Sequence, residues 1–298
     1  MSSIPSVGPE GAAGDVEMRD LEAARAGAAA ARPRRQRLWG IVRLVVPPAG
    51  VGIAGLAAWE AVVRLYQIPS YILPGPLLVV RTLVRDWGTL YPSLLVTLAI
   101  AGAALLVATV AGVMIAILFT QSRWIELSLF PYAVILQVTP IVAIAPLIII
   151  WVKSIPVALL TCAWIVAFFP IVSNTTLGLN SADHNLLNLF QLYGASRWQV
   201  FWHLRLPSAM PYFLGGLRIS GGLALIGAVV AEFVAGTGGA QSGLAYRVLE
   251  SGYTMQIPRM FAALFMITCT GVLIFSVLTA LSHLLLRKWH ESAAEREG

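Results

Sequence analysis

Charge is what this sequence has least of. Asp, Glu, Lys and Arg together make up 11% of its 298 residues, against about a quarter in ordinary globular chains, which excludes a water-facing surface around a conventional core. Cysteine is scarce too. Cys162 and Cys269 both lie inside apolar runs, so no disulfide framework is expected, and both read as small core residues. The histidines His184, His203, His283 and His290 are scattered, with no spacing that pairs them as metal ligands. Gly236-Thr-Gly-Gly239 lacks the Gly-Lys-Ser/Thr ending of a phosphate loop and follows no strand, which excludes a nucleotide site there. No catalytic group, cofactor or metal site is therefore expected. The net charge of +6 sits at chain ends and in short loops, where it marks topology and touches anionic headgroups rather than nucleic acid.

What the chain has in abundance is apolar residues, 58% of the total. About 20 helical residues cross a bilayer core. Six stretches reach that length, from about Ile41 to Val63, Leu94 to Phe119, Ile125 to Val152, Ile155 to Leu177, Tyr212 to Ala235 and Met260 to Leu286. The second contains no charged residue at all. Lys153 and Pro156 place an interface between the third and fourth. The fold class expected is an all-α integral membrane protein with six transmembrane helices. Residues 1–38 read as a disordered tail, 39–290 as the transmembrane domain and 291–298 as a second tail. The first tail has almost no aromatic or β-branched content with which to bury surface, and its acidic residues are wrong for a signal peptide.

The distribution of arginine and lysine sets an orientation. With the N-terminus inside, fourteen of these residues fall in cytoplasmic segments and six in outer ones, the excess that the positive-inside rule requires. The Arg32-Pro-Arg-Arg-Gln-Arg37 cluster would hold the N-terminus in the cytoplasm. Both termini and the segment from Gly178 to Pro211 are then expected to be cytoplasmic. On the outer side, residues 66 to 92 place Leu77, Val80, Leu83 and Val84 at helical spacing opposite Arg81 and Arg85, which predicts a short interfacial helix. Residues 236 to 258 predict a loop and one further short helix over Leu244 to Tyr253.

The segment between the fourth and fifth stretches carries the most information. Leu186, Leu187, Leu189, Phe190 and Tyr193 form an apolar face at helical spacing. Gly194 permits the backbone conformation of a helix C-terminus. Ser196 is placed to cap a second short helix bearing Trp198, Val200, Phe201 and Leu204. Pro207 and Pro211 are expected to break the chain before the fifth span. The result is helix, glycine turn, helix, with apolar side chains suited to a groove on a partner.

These residues resemble a known family. Gly194, nine residues, Leu204, one residue and Leu206-Pro207 are similar to the glycine-to-leucine-proline part of the EAA motif in permeases of bacterial ABC importers. The acidic-Ala-Ala element of that motif is Asn188-Leu-Phe190 here. Ile72-Leu-Pro-Gly-Pro76, Thr139-Pro-Ile-Val-Ala-Ile-Ala-Pro146, Gly215-Gly-Leu-Arg218 and Val230-Ala-Glu232 resemble elements of the nitrate, sulfonate and taurine permease group, a pattern shared with some vitamin and vitamin-precursor permeases. The resemblance covers roughly Ile41 to Trp289. It implies a permease subunit of the bacterial inner membrane, paired with a second permease subunit (a homodimer by default). It also implies two ATPase subunits and an extracytoplasmic solute-binding protein as partners. The site it implies is an ATPase-coupling loop built from Gly194, Ala195, Ser196, Arg197, Leu204, Leu206 and Pro207.

Four residues are candidates for a translocation path. Pro140 and Pro146, with Thr139 beside them, fall in the third stretch, where each proline removes a backbone donor, either to line a path or to kink a packed helix. Glu232 is an acidic residue well inside an apolar span, a position that costs about 2.5–3.5 kcal/mol on insertion scales. It reads either as a gate or pathway residue or as a protonated or paired residue at a subunit seam. Two other function classes were weighed against the importer. A secondary transporter driven by an ion gradient would need coupling groups in paired repeats, and a membrane scaffold would need no ATPase.

Overall fold

A computed structural model describes residues 34–236 and 242–294, and every element in it is helical. The elements are α1 (Arg34–Leu65), α2 (Pro76–Arg85), α3 (Trp87–Gln121), α4 (Arg123–Val138), α5 (Ile141–Trp151), α6 (Ile155–Asn180), α7 (His184–Leu192), α8 (Arg197–Val200), a π turn (Phe201–Arg205), α9 (Leu206–Ala235), α10 (Leu244–Tyr253) and α11 (Ile257–Ala294). Among the described residues, five helical runs are long and apolar enough to cross a membrane, or six if α4 and α5 together form one span. The chain divides into two compact units, one up to Leu65 and one from Tyr66 onward.

The first unit contributes α1, which carries Pro47 and Pro48 and an apolar run from Val46 to Leu65. Glu60 and Arg64 pair at 2.6 Å one turn apart. The helix begins at Arg34 and α11 runs to Ala294. The tail before Arg34, Arg32 included, lies outside the described residues.

In the second unit α6 is central, packed on α9 and on α3. Small residues make these seams tight. Ala101, Ala104, Ala108, Gly112 and Ala116 recur on the buried face of α3, and Ala158, Ala163 and Ala167 on that of α6. Apolar side chains gain little from leaving lipid for a helix interface, so close backbone approach and dispersion hold such helices together. A Cβ on Gly227 of α9 would stand 2.8 Å from Ala163 Cα, and one on Gly216 2.8 Å from the Pro170 carbonyl oxygen. Ser220 Oγ adds a bond across the seam, donating to the Ala167 carbonyl at 2.6 Å.

Two features differ from the sequence reading. The third apolar stretch is not one helix, because α4 and α5 meet at a 99° bend. Thr139 and Pro140 are both extended there, with ψ of 123° and 112°, since a residue before proline avoids the helical region. The last turn of α4 still closes on Ile135. Thr139 donates its backbone N–H to the Ile135 carbonyl at 3.1 Å and its hydroxyl to the same oxygen at 2.7 Å. Conversely, Pro207 and Pro211 do not break the chain. Pro207 lies in the first turn of α9, and the π turn before it keeps the helix running from Arg197 to Ala235. A proline lacks the N–H for the preceding turn and crowds its carbonyl. The wider π turn relieves that crowding.

Candidate functional site

The segment from His184 to Pro207 forms one local unit. Asp183 caps α7, its Oδ1 accepting from the Asn185 N–H at 2.8 Å. At the far end Gly194 adopts φ +65°. Its N–H donates to the Gln191 carbonyl at 3.0 Å, and the Ala195 N–H donates to Phe190 at 2.9 Å. This pair of bonds is a Schellman motif, which satisfies the last carbonyls of a helix and requires a left-handed residue. Ser196 then opens α8 with a reciprocal capping box. Its Oγ accepts from the Gln199 N–H at 3.3 Å, and Gln199 Oε1 accepts from the Ser196 N–H at 2.7 Å. Each turn is therefore built from residues within the segment.

This unit leaves large apolar side chains uncovered. Leu192 is 85% exposed, Tyr193 83% and Trp198 70%. A cleft between α7 and the following turn is lined by Leu189, Phe190, Tyr193, Ala195, Gln199 and His203. Arg197 and Ser196 are exposed, whereas Leu204 is buried and Leu206 and Pro207 are half-buried. Phe201 packs with Ala116, Leu179 and Ala209, which ties the unit to α3, α6 and α9. The structure thus brings Gly194, Ala195, Ser196 and Arg197 together at an exposed turn and uses Leu204, Leu206 and Pro207 as its root.

The four path candidates fall elsewhere. Thr139 and Pro140 form the bend, Pro140 and Pro146 are exposed, and α5 packs through Ala145 and Ile148 near Ala228 and Ala231 of α9. Glu232 is 3% exposed. Its Oε1 and Oε2 accept from Thr97 Oγ1 of α3 at 2.8 and 3.1 Å, and Oε2 also accepts from the Ala245 N–H at 3.0 Å. Thr97 Oγ1 in turn accepts from the Leu244 N–H at 2.9 Å. Among the described residues, Glu232 bonds to α3 and α10 and not to α5. Arg218, on the same helix, sits 5.9 Å from the Phe275 ring centroid.

A second polar group lies beside α10. Arg247 Nε donates to Ser93 Oγ at 3.0 Å, one helical turn from Thr97 along α3, and its Nη1 reaches Glu250 at 2.8 Å. At the α2–α3 junction, Asp86 accepts from Arg259 Nε at 2.6 Å and from Arg85 Nε at 3.1 Å. Burial alone would raise the Asp86 carboxyl, but the hydrogen bonds and charges of Arg259 and Arg85 outweigh it and hold the group below its ordinary 3.8. A lowered folded-state value stabilises the fold fully above the unfolded value, and that contribution fades as pH falls through the folded one. The Asp86→Asn variant should melt several degrees below wild type at pH 7, and the gap should shrink below about pH 4. Melting curves of both proteins across that range check it. Sequence reasoning missed Ser93, Thr97, Asp86 and Gly243. The one available signal was the spacing of Ser93 and Thr97, four residues apart on a charge-free span.

Residues 108–290 match the family model described as the binding-protein-dependent transport system inner membrane component. The chain is 33% identical to the formylaminopyrimidine transport permease protein ThiX of Halalkalibacterium halodurans, over 78% of this chain and 91% of that one. It is 33% identical to the riboflavin transport system permease protein RibX of Chloroflexus aurantiacus, over 80% and 87%. With the putative aliphatic sulfonates transport permease protein SsuC of Bacillus subtilis the identity is 30%, over 94% and 97%. In fold it is similar to a chain of an amino acid ABC transporter crystallised with histidines, with a TM-score of 0.56 at 17% identity, covering 70% of this chain and 97% of that one. The family match, spanning most of the chain, and the apolar helices agree: this chain belongs to the inner membrane components of binding-protein-dependent transport systems, the permeases of ABC importers.

Proposed function

We propose that two copies of this chain form the membrane path of an ATP-driven importer, and that the unit from His184 to Pro207 is where each copy docks an ATPase subunit. The observation that carries this reading is the exposed turn centred on Gly194. It presents Leu192, Tyr193 and Trp198 on a rigid, self-capped scaffold, and these apolar groups fit a groove on a partner. ATP binding would close the ATPase pair, and the docked unit would carry that motion through the π turn into α9. Differential affinity of the ATPase for two membrane conformations would drive the change in access. The Lys/Arg bias supports placing this unit, and both termini, in the cytoplasm.

A separate solute-binding protein would deliver the cargo from the other side. The relatives span formylaminopyrimidine, riboflavin and aliphatic sulfonates by name. Two of these names denote ring-bearing vitamins or precursors, which favours a pyrimidine or flavin over a sulfonate, taurine or nitrate. The family assignment leaves the ion-gradient alternative without support.

The test is reconstitution. The permease, its ATPase and its binding protein in liposomes should take up cargo with internal or external ATP supplied to the docking face, and an ionophore should leave uptake unchanged. Uptake that persists without any ATPase, or that collapses with the ionophore, would overturn the reading. A thermal-shift screen of the binding protein against pyrimidines, flavins, sulfonates and nitrate identifies the cargo class.

A further inference from the structure

Two polar anchors fasten α10 to the spans. One is Glu232 with Thr97, and the other is Arg247 with Ser93. Around these anchors, Leu244 and Val248 of α10 pack among Leu90, Ala262, Ala263 and Met266. The Glu232 anchor has a specific construction. Its carboxylate takes the Ala245 N–H directly and, through the Thr97 hydroxyl, engages the Leu244 N–H as well. These are amides of the first turn of α10, which have no partner within their own helix. A Cβ on Gly243 would collide with the Glu232 carboxylate, so only glycine lets the chain pass this close to the acid. The main chain of Glu232 serves the same junction, because its carbonyl accepts from the N–H of Gly236, whose φ of +57° ends α9. The last turn of α9 and the first turn of α10 thus meet at Glu232.

Building on the importer reading, we propose that Glu232 is a latch: it holds α10 against α3 and α9 in this conformation, and its release from the α10 amides accompanies the change in access. Glu232 is a positioning residue and need not touch cargo. Bonds of this kind, few and buried in an apolar seam, are made or broken as a set, so the junction has two states rather than a continuum. The hydroxyls of Ser93 and Thr97 lie one turn apart on α3, and they give α10 two points about which to detach.

Hydrogen exchange on the full permease–ATPase complex tests the idea. In the resting complex the amides of residues 244–248 should exchange slowly. In the ATP-trapped complex they should exchange about tenfold faster, while the interiors of α3 and α6 stay unchanged. Glu232→Ala should raise resting exchange at 244–248 to the trapped level and raise ATP hydrolysis without cargo several-fold. Glu232→Gln, which keeps one acceptor oxygen, should lie between. Equal exchange in the two wild-type states would overturn the latch and leave Glu232 a static staple, and this comparison stands even if the alanine variant fails to fold. Wild-type and Glu232→Gln permease alone provide the arm that needs no ATPase. Unchanged exchange at 244–248 in that pair also overturns the latch, whereas failure of any ATPase to associate overturns the importer reading instead.

Discussion

Valine in place of Gly194 is expected to reduce capture of the ATPase by at least tenfold while leaving the spans folded. The reason is conformational rather than steric, since a Cβ at this position meets nothing within 4 Å. What valine cannot do cheaply is hold φ +65°. The left-handed region costs an ordinary residue about 1–2 kcal/mol, and a β-branched one more. Escape from that strain breaks the bonds from Gly194 and Ala195 to Gln191 and Phe190, and α7 then leaves α8 at another angle. A tenfold loss corresponds to about 1.4 kcal/mol, which the strain alone supplies. Asparagine, which tolerates this region, should retain most of the capture. Co-purification of the ATPase with each variant, alongside a melting curve of the permease, decides it. Equal capture by the valine variant would show that the turn does not set the docking geometry.

Gly227→Val tests the opposite kind of glycine. Here φ is helical, but a Cβ would stand 2.8 Å from Ala163 Cα and 3.4 Å from the Ala163 carbonyl oxygen. Main chain cannot swing aside as a side-chain tip can, so α9 and α6 must separate. Overpacking of this kind costs about 1–3 kcal/mol, and more where the backbone must move. The expected outcome is a steep fall in monodisperse yield and a melting temperature lowered by several degrees. Gly222 on the same helix has open space around its Cβ position, and Gly222→Ala should leave both quantities unchanged. Yield and melting temperature of the two variants, measured side by side, check the contrast. A well-folded Gly227→Val would mean that the α6–α9 seam is looser than its geometry implies.

These two glycines also show what the sequence reveals and why. Gly194 was legible because its role is local: a leucine-rich helix, a glycine and a serine define a cap and a turn within one segment. The amphipathic α2 was legible from periodicity for the same reason. Glu232 could be singled out as a buried acid, but its partner could not, because Thr97 is 135 residues away. Only packing of α3 on α9 brings them together. The prolines marked a kink in the third stretch, but the size of the bend between α4 and α5 could not be read from them. A long apolar run interrupted only by prolines reads as one span, and the 99° angle depends on whether Pro140 is absorbed, as Pro207 is by its π turn, or allowed to end the helix. Glycine 243 offers no signal of its own, since the group that demands it belongs to another helix.

The π turn at Phe201–Arg205 has a geometric consequence. A π turn holds one residue more than the α-helical turn it replaces, and each residue of an α-helix advances the azimuth by about 100°. The aromatic face of Trp198 and the span that begins at Leu206 are therefore out of phase by that increment relative to an unbroken helix. The aim of the docking face around the helix axis is thus set by a single surplus residue, independently of how far the face projects.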